Sequence, residues 1–337
     1  MHAKGFTHLL IAAPPSGPVN TVAPVIAGTV NVGSSVAVTP GTWTGSPTLT
    51  YSLYRGGVID GTEVGRTEAQ AEAYVFVAAD IGPTIVWREI ANGVPANFAD
   101  SNTLQFTDLA SLSPTFLVDE RGQVGSPISP WNDQSGNGRN LTQVTAAFRP
   151  TTGGTINGFA APTVDGTQQY MNGPAATGGN AYTTSTASRI FVVLDNTGTT
   201  PGPNGGSAYF EPCVFALSDD AAGWIGLAWS IGGPRAYGTD VTNVFATPRM
   251  SATLGAHVID VKHDGATLSA QRNADAPATV ALGTLVQPGS LTYWMSDFIA
   301  ADFYVGRVGL IFTKGAMTAN EAATARAFIT YKYGVPT

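Results

Sequence analysis

Residues 131–138 read Trp-Asn-Asp-Gln-Ser-Gly-Asn-Gly. The short polar side chains of Asp133 and Asn137 can hydrogen-bond nearby backbone, and Gly136 and Gly138 accept the left-handed φ that a tight reversal needs. The spacing predicts a compact turn pinned to an apolar interior by Trp131. Asp and Asn oxygens also suit calcium, but carboxylates are too few here for a tight site. The loop is therefore read as structural, and no metal is expected. Turn signals continue outward at Arg149-Pro150, Gly158 and Val164-Asp165-Gly166. An apolar strand follows at 189–195. A hairpin is expected from 257–262, Asp264-Gly265 and 266–272.

The composition supports the same reading for the whole chain of 337 residues, long enough for two cores. Charged residues are 12% of it, against about 25% in an average domain. Gly (40) and Pro (22) are abundant, while hydrophobic residues reach 43%. That balance fits many short strands joined by tight turns and excludes a disordered or a mainly helical chain. The net charge is −7 and the 16 basic residues are scattered singly, so phosphate backbones have no cluster to bind and nucleic acid is excluded as a partner. The lone Cys213 is read as a buried thiol. The apolar run at 9–13 is too short for a signal peptide, and no stretch is long enough for a membrane span. The chain is thus expected to be made without export and to insert in no membrane.

Residues 1–18 read as an extended apolar arm, stopped by Pro14-Pro15 and in need of a partner surface. Residues 19–107 show short strands at 22–32, 35–39, 49–54, 73–78 and 84–90, with turns at Pro40-Gly41, Gly56-Gly57, 80–82 and Asn92-Gly93. This punctuation indicates a β-sandwich. The Gly33 turn, Gly41-Thr42-Trp43, Tyr51…Arg55-Gly56 and Ala79-Asp80-Ile81-Gly82 resemble the Ig-like domain repeated in phage and bacterial surface proteins. The chain departs from that pattern at Leu53, where a core Trp is usual, and has no cysteine pair. Residues 108–337 carry the 131–138 loop and the turn signals after it. They resemble concanavalin-A-like, laminin-G-type domains common in phage structural proteins, down to a last strand at 303–312 and a terminal helix. The resemblances imply an all-β protein: an Ig-like sandwich, then a concanavalin-A-like jelly roll with a short C-terminal helix.

That helix follows from the residues themselves. Thr318 and Glu321 form a T-x-x-E capping box. Ala322, Ala325, Phe328 and Ile329 share one face. Gly334 suits the left-handed terminus, and Pro336 prevents continuation. It is expected to close one end of the sandwich.

Catalytic signatures are missing. No G-x-S-x-G and no nucleotide-binding motif occurs. Asp119-Glu120 and Asp219-Asp220 are adjacent pairs, which a strand would turn to opposite faces, so they do not supply the facing carboxylates of a glycosidase. His257 and His263 share a strand face with Ile259 and Val261, while Asp260 and Asp264 point away. With His2 and His8 they are read as ordinary histidines. No catalytic residue and no cofactor is expected. Sugars stack on exposed aromatic rings, which makes Trp224, Tyr237 and Trp294 the expected ligand-binding residues, from a set that includes Trp229 and Tyr293.

The resemblances and the missing signatures together predict a non-enzymatic structural protein of a bacteriophage virion, as head decoration, fibre, tail or baseplate component. The arm and Ig-like domain would attach it to other virion proteins, with a homo-oligomer, first a trimer, as the expected assembly. The alternative is a carbohydrate-binding adhesion module for host-surface or environmental glycans.

Overall fold

The computed structural model describes residues 17–166, 168–173, 187–197, 213–218, 224–230, 233–239, 244–250, 253–282, 291–295 and 304–335. The expected arm, His2, His8 and the Asp219-Asp220 pair lie outside the described residues, apart from the last two positions of the arm. The chain divides into two compact units, Met1–Phe106 and Thr107–Thr337.

The first unit contains β1 (Asn20–Val22), β2 (Val25–Ala27), β3 (Ala37–Thr39), β4 (Thr42–Trp43), β5 (Leu49–Arg55), β6 (Val58–Ile59), a helix α1 (Glu68–Glu72), β7 (Ile85–Ala91) and β8 (Phe98–Asp100). Strands β6-β5-β7-β8 form one antiparallel sheet, and β2-β3 and β1-β4 form two ribbons. The strand expected over 22–32 is split at Pro24, which has no N–H for a ladder. The strand expected over 73–78 is absent. Thr67 and Gln70 make a capping box, and α1 ends at Ala73. Val75 makes a single bridge to Ser35. Asp80 then draws the backbone into a turn by accepting from Val77 N at 2.8 Å and Tyr74 OH at 2.6 Å. Leu53, the departure from the immunoglobulin pattern, faces Trp87 across the β5–β7 ladder, and both are fully buried. The large ring stands one strand over, at Trp87.

The second unit contains β9 (Phe116–Val118), β10 (Thr151–Ile156), β11 (Phe159–Asp165), β12 (Met171–Asn172), β13 (Ser188–Asn196), β14 (Cys213–Ser218), β15 (Trp224–Ser230), β16 (Gly233–Thr239), β17 (Val244–Ala246), β18 (Gly255–His263), β19 (Thr267–Arg272), β20 (Ala278–Ala281), β21 (Leu291–Trp294), β22 (Val305–Lys314) and the helix α2 (Ala319–Tyr333). Among the described residues these strands form two antiparallel sheets. The larger runs β10-β11-β22-β13-β18-β19-β20, with β9 also on β22; the smaller runs β12-β21-β14-β15-β16-β17. One apolar core joins them, with Ile190, Val192, Ile259 and Val261 from the first and Phe215, Leu227 and Trp294 from the second. The all-β reading holds.

Strand alternation sends the intervening residues of β13 and β18 to the other face of the larger sheet. There α2 lies, with Arg326 on Asp260 and over the Phe191 ring, and Tyr333 donating to Gly309 O at 3.1 Å. The expected capping box and left-handed Gly334 (φ 65°) are present. The expected position at the end of the sandwich is corrected. Phe191, Phe312 and Leu310 present an apolar strip on the outer face, and burying it against α2 outweighs any gain at a polar loop end.

Candidate functional site

The 131–138 loop is a structural lock. Trp131 is fully buried and its Nε1 donates to Asp119 O at 2.6 Å. Asp133 Oδ1 accepts from Leu117 N (3.0 Å) and Ser135 N (2.9 Å), and Oδ2 accepts from Ser135 Oγ (2.7 Å) and Arg139 N (3.0 Å). Three backbone amides and the Ser135 hydroxyl occupy both oxygens, so this carboxylate ties the loop to itself and to β9. Gly122 is required by its close approach to Asn132 O, which leaves no room for a Cβ.

The expected sugar-stacking rings are not where a sugar could reach them. Trp294 is fully buried between Phe116 (centroids 5.5 Å) and Phe215 (5.3 Å) and fills the core between the sheets. Tyr237 is 3% exposed, beneath the Arg235 guanidinium. Both assignments are corrected: a ring with no free face offers no stacking surface. Trp224 starts β15, and its side chain, like those of Trp229, Tyr293 and Cys213, lies outside the described residues. His257 and His263 are buried on the core side of β18. Asn273 Nδ2 lies 3.1 Å from His257 Nδ1, and Thr253 O lies 3.1 Å from Nε2. Gly265 N donates to His263 Nδ1 at 3.0 Å. Asp119 and Glu120 stand in a turn, not a strand, and both face Lys332.

The polar groups that do converge lie on the outer face of the larger sheet, beyond the edge of α2. Register places Lys314, Arg189, Lys262, Ser269 and Thr279 side by side across β22, β13, β18, β19 and β20. The next outward row is Phe312, Phe191, Asp260 and Gln271. An open cleft of about 300 Å³ is lined by Arg189, Lys262, Ser269, Gln271 and Thr279 among others. A second, of about 250 Å³, shares Arg189, Lys262 and Asp264 and continues to Gly315 and Met317. The two form one groove.

Asp260 organises its floor. The carboxylate is 3% exposed. It accepts from Arg189 Nε (2.9 and 3.1 Å) and Nη2 (2.5 Å), and from Arg326 Nη2, which also reaches Gln271. Burial lowers Arg326 below the ordinary guanidinium value; Asp260 opposes this, and the like charge of Arg189 adds to it. Asp264, at the rim, accepts from Ala266 N (3.2 Å), Thr267 N (2.9 Å) and Lys262 Nζ (3.3 Å). Burial raises its pKa, but these donors outweigh it and hold the carboxyl below its ordinary value. The groove therefore offers hydroxyls, an amide and cations, with its carboxylates held ionised or paired. Its lining residues include no Trp, Tyr or Phe, and the one aromatic ring among them, His263, is 2% exposed. No single segment signals it, because its members come from β13, β18, β19, β20 and the turn after β22 and meet only through register.

Several solved structures are similar to the chain at low identity and low TM-score. Domain 4 of AbnA, a GH43 extracellular arabinanase from Geobacillus stearothermophilus in complex with arabinotriose, is 12% identical at TM-score 0.42, over 64% of this chain and 98% of that one. An arabinofuranosidase complexed with arabinofuranosyl-α-1,2-xylobiose is 14% identical at TM-score 0.45, over 95% of this chain and 63% of that one. Trypanosoma rangeli sialidase is 13% identical at TM-score 0.45, over 71% of this chain and 35% of that one. No family model and no curated protein matches the chain.

Proposed function

We propose that the chain is a non-enzymatic carbohydrate-binding and display protein whose larger sandwich reads glycan through the groove on its outer face. The carrying observation is the register-built row of Arg189, Lys262, Ser269 and Thr279 over two joined open clefts. Sugar hydroxyls need convergent donors and acceptors held by rigid elements, which alternate positions on neighbouring strands supply. Recognition here runs through hydrogen bonds instead of ring stacking.

The non-enzymatic part rests on the groove's carboxylates. Glycoside hydrolysis needs one carboxyl kept protonated near neutral pH. Asp264 is pulled down by its donors and does not meet that need, and Asp260 is engaged by two guanidiniums. Calorimetric titration with a panel of oligosaccharides tests the reading. The Ser269→Ala/Thr279→Ala protein should lose binding at unchanged melting temperature. Binding that survives would put the site elsewhere, and release of reducing ends on long incubation would make the protein an enzyme.

A place in a bacteriophage particle is the reading we attach to the first unit, which would join virion partners or further copies of the chain. It is favoured by exposed aliphatic side chains at Val22, Val25, Val58, Ile59 and Val64, the kind of surface that subunit contacts cover. Light scattering should then show a trimer. A monomer at all concentrations would sink self-assembly, and absence from purified particles would sink the virion role.

A further inference from the structure

We propose that the groove takes an acidic saccharide, one whose repeating unit bears a carboxylate, and that Arg189 and Lys262 hold that carboxylate where the two clefts meet. The inference rests on the glycan reading of the same groove and names its ligand class.

The first argument is an energetic oddity. Lys314, Arg189 and Lys262 are directly opposed on three neighbouring strands. Like charges opposed across a sheet destabilise it, and stability alone does not select such a row. Local carboxylates only partly answer it. Lys314 is closed off by Glu321 at 2.5 Å and Leu112 O at 2.6 Å. Arg189 and Arg326 must share Asp260. Lys262 has one contact with Asp264, at 3.3 Å, and both side chains are more than 40% exposed. Four cations thus stand against three carboxylates, Glu321, Asp260 and Asp264. One positive charge is left over, on a chain of net charge −7.

The second argument is direction. Asp260 holds Arg189 by Nε and Nη2, and Nη1 has no partner among the described residues. That edge of a rigid, planar guanidinium is preset for one oxygen of a carboxylate. Lys262, its cross-strand neighbour, supplies a mobile ammonium for the other oxygen. Asp264 spends Oδ1 on the Ala266 and Thr267 amides and meets Lys262 only through Oδ2, at 3.3 Å between two exposed side chains, a contact that a ligand carboxylate can exchange.

The third argument is shape. Both clefts are lined by Arg189 and Lys262. Each alone is at or below the lower end for a small-molecule site, about 300 Å³. A ligand that fills both must be elongated and carry its charge near the middle. Ser269 and Thr279 then address hydroxyls on one side, and Gly315 and Met317 flank the other.

The test compares an oligogalacturonate with the neutral galactose oligomer obtained by reducing its carboxylates, using the full chain in calorimetric titrations at two salt concentrations. The acidic oligomer should bind more tightly, and salt should weaken it selectively. Lys262→Gln should lower its affinity roughly tenfold, as expected for one charge-assisted hydrogen bond, with binding of the neutral oligomer and the melting temperature unchanged. Arg189→Lys, which keeps the charge and the pairing with Asp260, should also weaken the acidic ligand. Equal binding of both oligomers, untouched by Lys262→Gln, overturns the acidic class and leaves the glycan reading intact. Failure of every oligosaccharide to bind overturns both.

Discussion

Glu89 in the first unit and Asp260 in the second are both sheet carboxylates with almost no exposure, yet they are satisfied in opposite ways. Glu89 is held by neutral donors: Gly41 N at 3.1–3.2 Å, Trp43 Nε1 at 2.7 Å and Tyr51 OH at 2.7 Å. Burial, then the hydrogen bond to Glu89, push the Tyr51 hydroxyl far above its ordinary pKa, so it stays a donor. A Cβ on Gly41 would stand 2.6 Å from Glu89 Oε2, which explains the glycine. Asp80, also fully buried, combines the two: it accepts from Tyr74 OH and the Val77 amide and pairs with the Arg55 guanidinium. These hubs use Gly41, Trp43, Tyr51, Arg55 and Asp80, residues that carry the Ig-like resemblance, to tie the backbone together. Asp260 is instead held by two guanidiniums with donors to spare, beside an open groove. A carboxylate wrapped in neutral donors fixes backbone. A carboxylate under shared cations aims charge.

The largest expected effect follows from removing the second arrangement. Asp260→Ala leaves Arg189 and Arg326 facing each other half-buried, and breaking such a pair costs about 3–5 kcal/mol. Differential scanning calorimetry should show the loss in the second unit's transition only. A matching drop in the first unit would show the two cores to be coupled.

Next is Glu89→Gln, which keeps the shape but turns an amide N–H₂ toward at least one of the three donors. One buried mismatch costs roughly 2 kcal/mol, and it should appear in the first unit's transition. If Asp260→Asn and Glu89→Gln cost the same, the distinction between neutral and cationic satisfaction fails.

Acid should separate the units as well. Burial lowers His257 below its ordinary value of 6.5, with Thr253 opposing and Arg272 assisting. Its folded pKa is depressed, so the stability it contributes is present above about pH 6.5 and is lost as pH falls through the lower folded value. Asp60 in the first unit is held below its ordinary value of 3.8: its Thr62 amide bond leads, burial opposes, and Arg55 assists. Its contribution is present above that value and lost only as pH falls further. Melting curves between pH 7 and 5 should therefore move the second unit first, and His257→Gln should remove that early phase. Simultaneous loss in both units would break the contrast.

The smallest effect sharpens it at the helices. Thr318→Ala removes the cap of a fifteen-residue helix that covers a sheet and should cost about 1 kcal/mol, while Thr67→Ala on the five-residue α1 should cost about 0.5 kcal/mol. Denaturant titrations of both variants check the order.

The elements legible in sequence were those whose cause is local. Thr318, Glu321 and Gly334 specify both ends of α2 within one stretch of chain. Asp133, Ser135 and Gly136 specify the 131–138 turn, since donors and acceptors sit within a few residues. Thr67 and Gln70 carried the same T-x-x-Q signal for α1, which a strand reading of 73–78 obscured. Period-two alternation and turn punctuation were enough for the all-β class, because one buried face forces them. Which face is buried is not local. Trp294 reads like a rim aromatic beside Tyr293, and only packing against Phe116 and Phe215 across two sheets makes it core. The groove was out of reach for the same reason. Arg189, Lys262, Ser269 and Thr279 are scattered singly through ninety residues of sequence, and strand register, set by long-range pairing, brings them into one row. Sequence by itself determined the all-β class, the 131–138 turn, both ends of α2 and the two-core length of this protein. Only the tertiary structure decided which side chains share a face, because that depends on how distant strands pair and on where α2 lies.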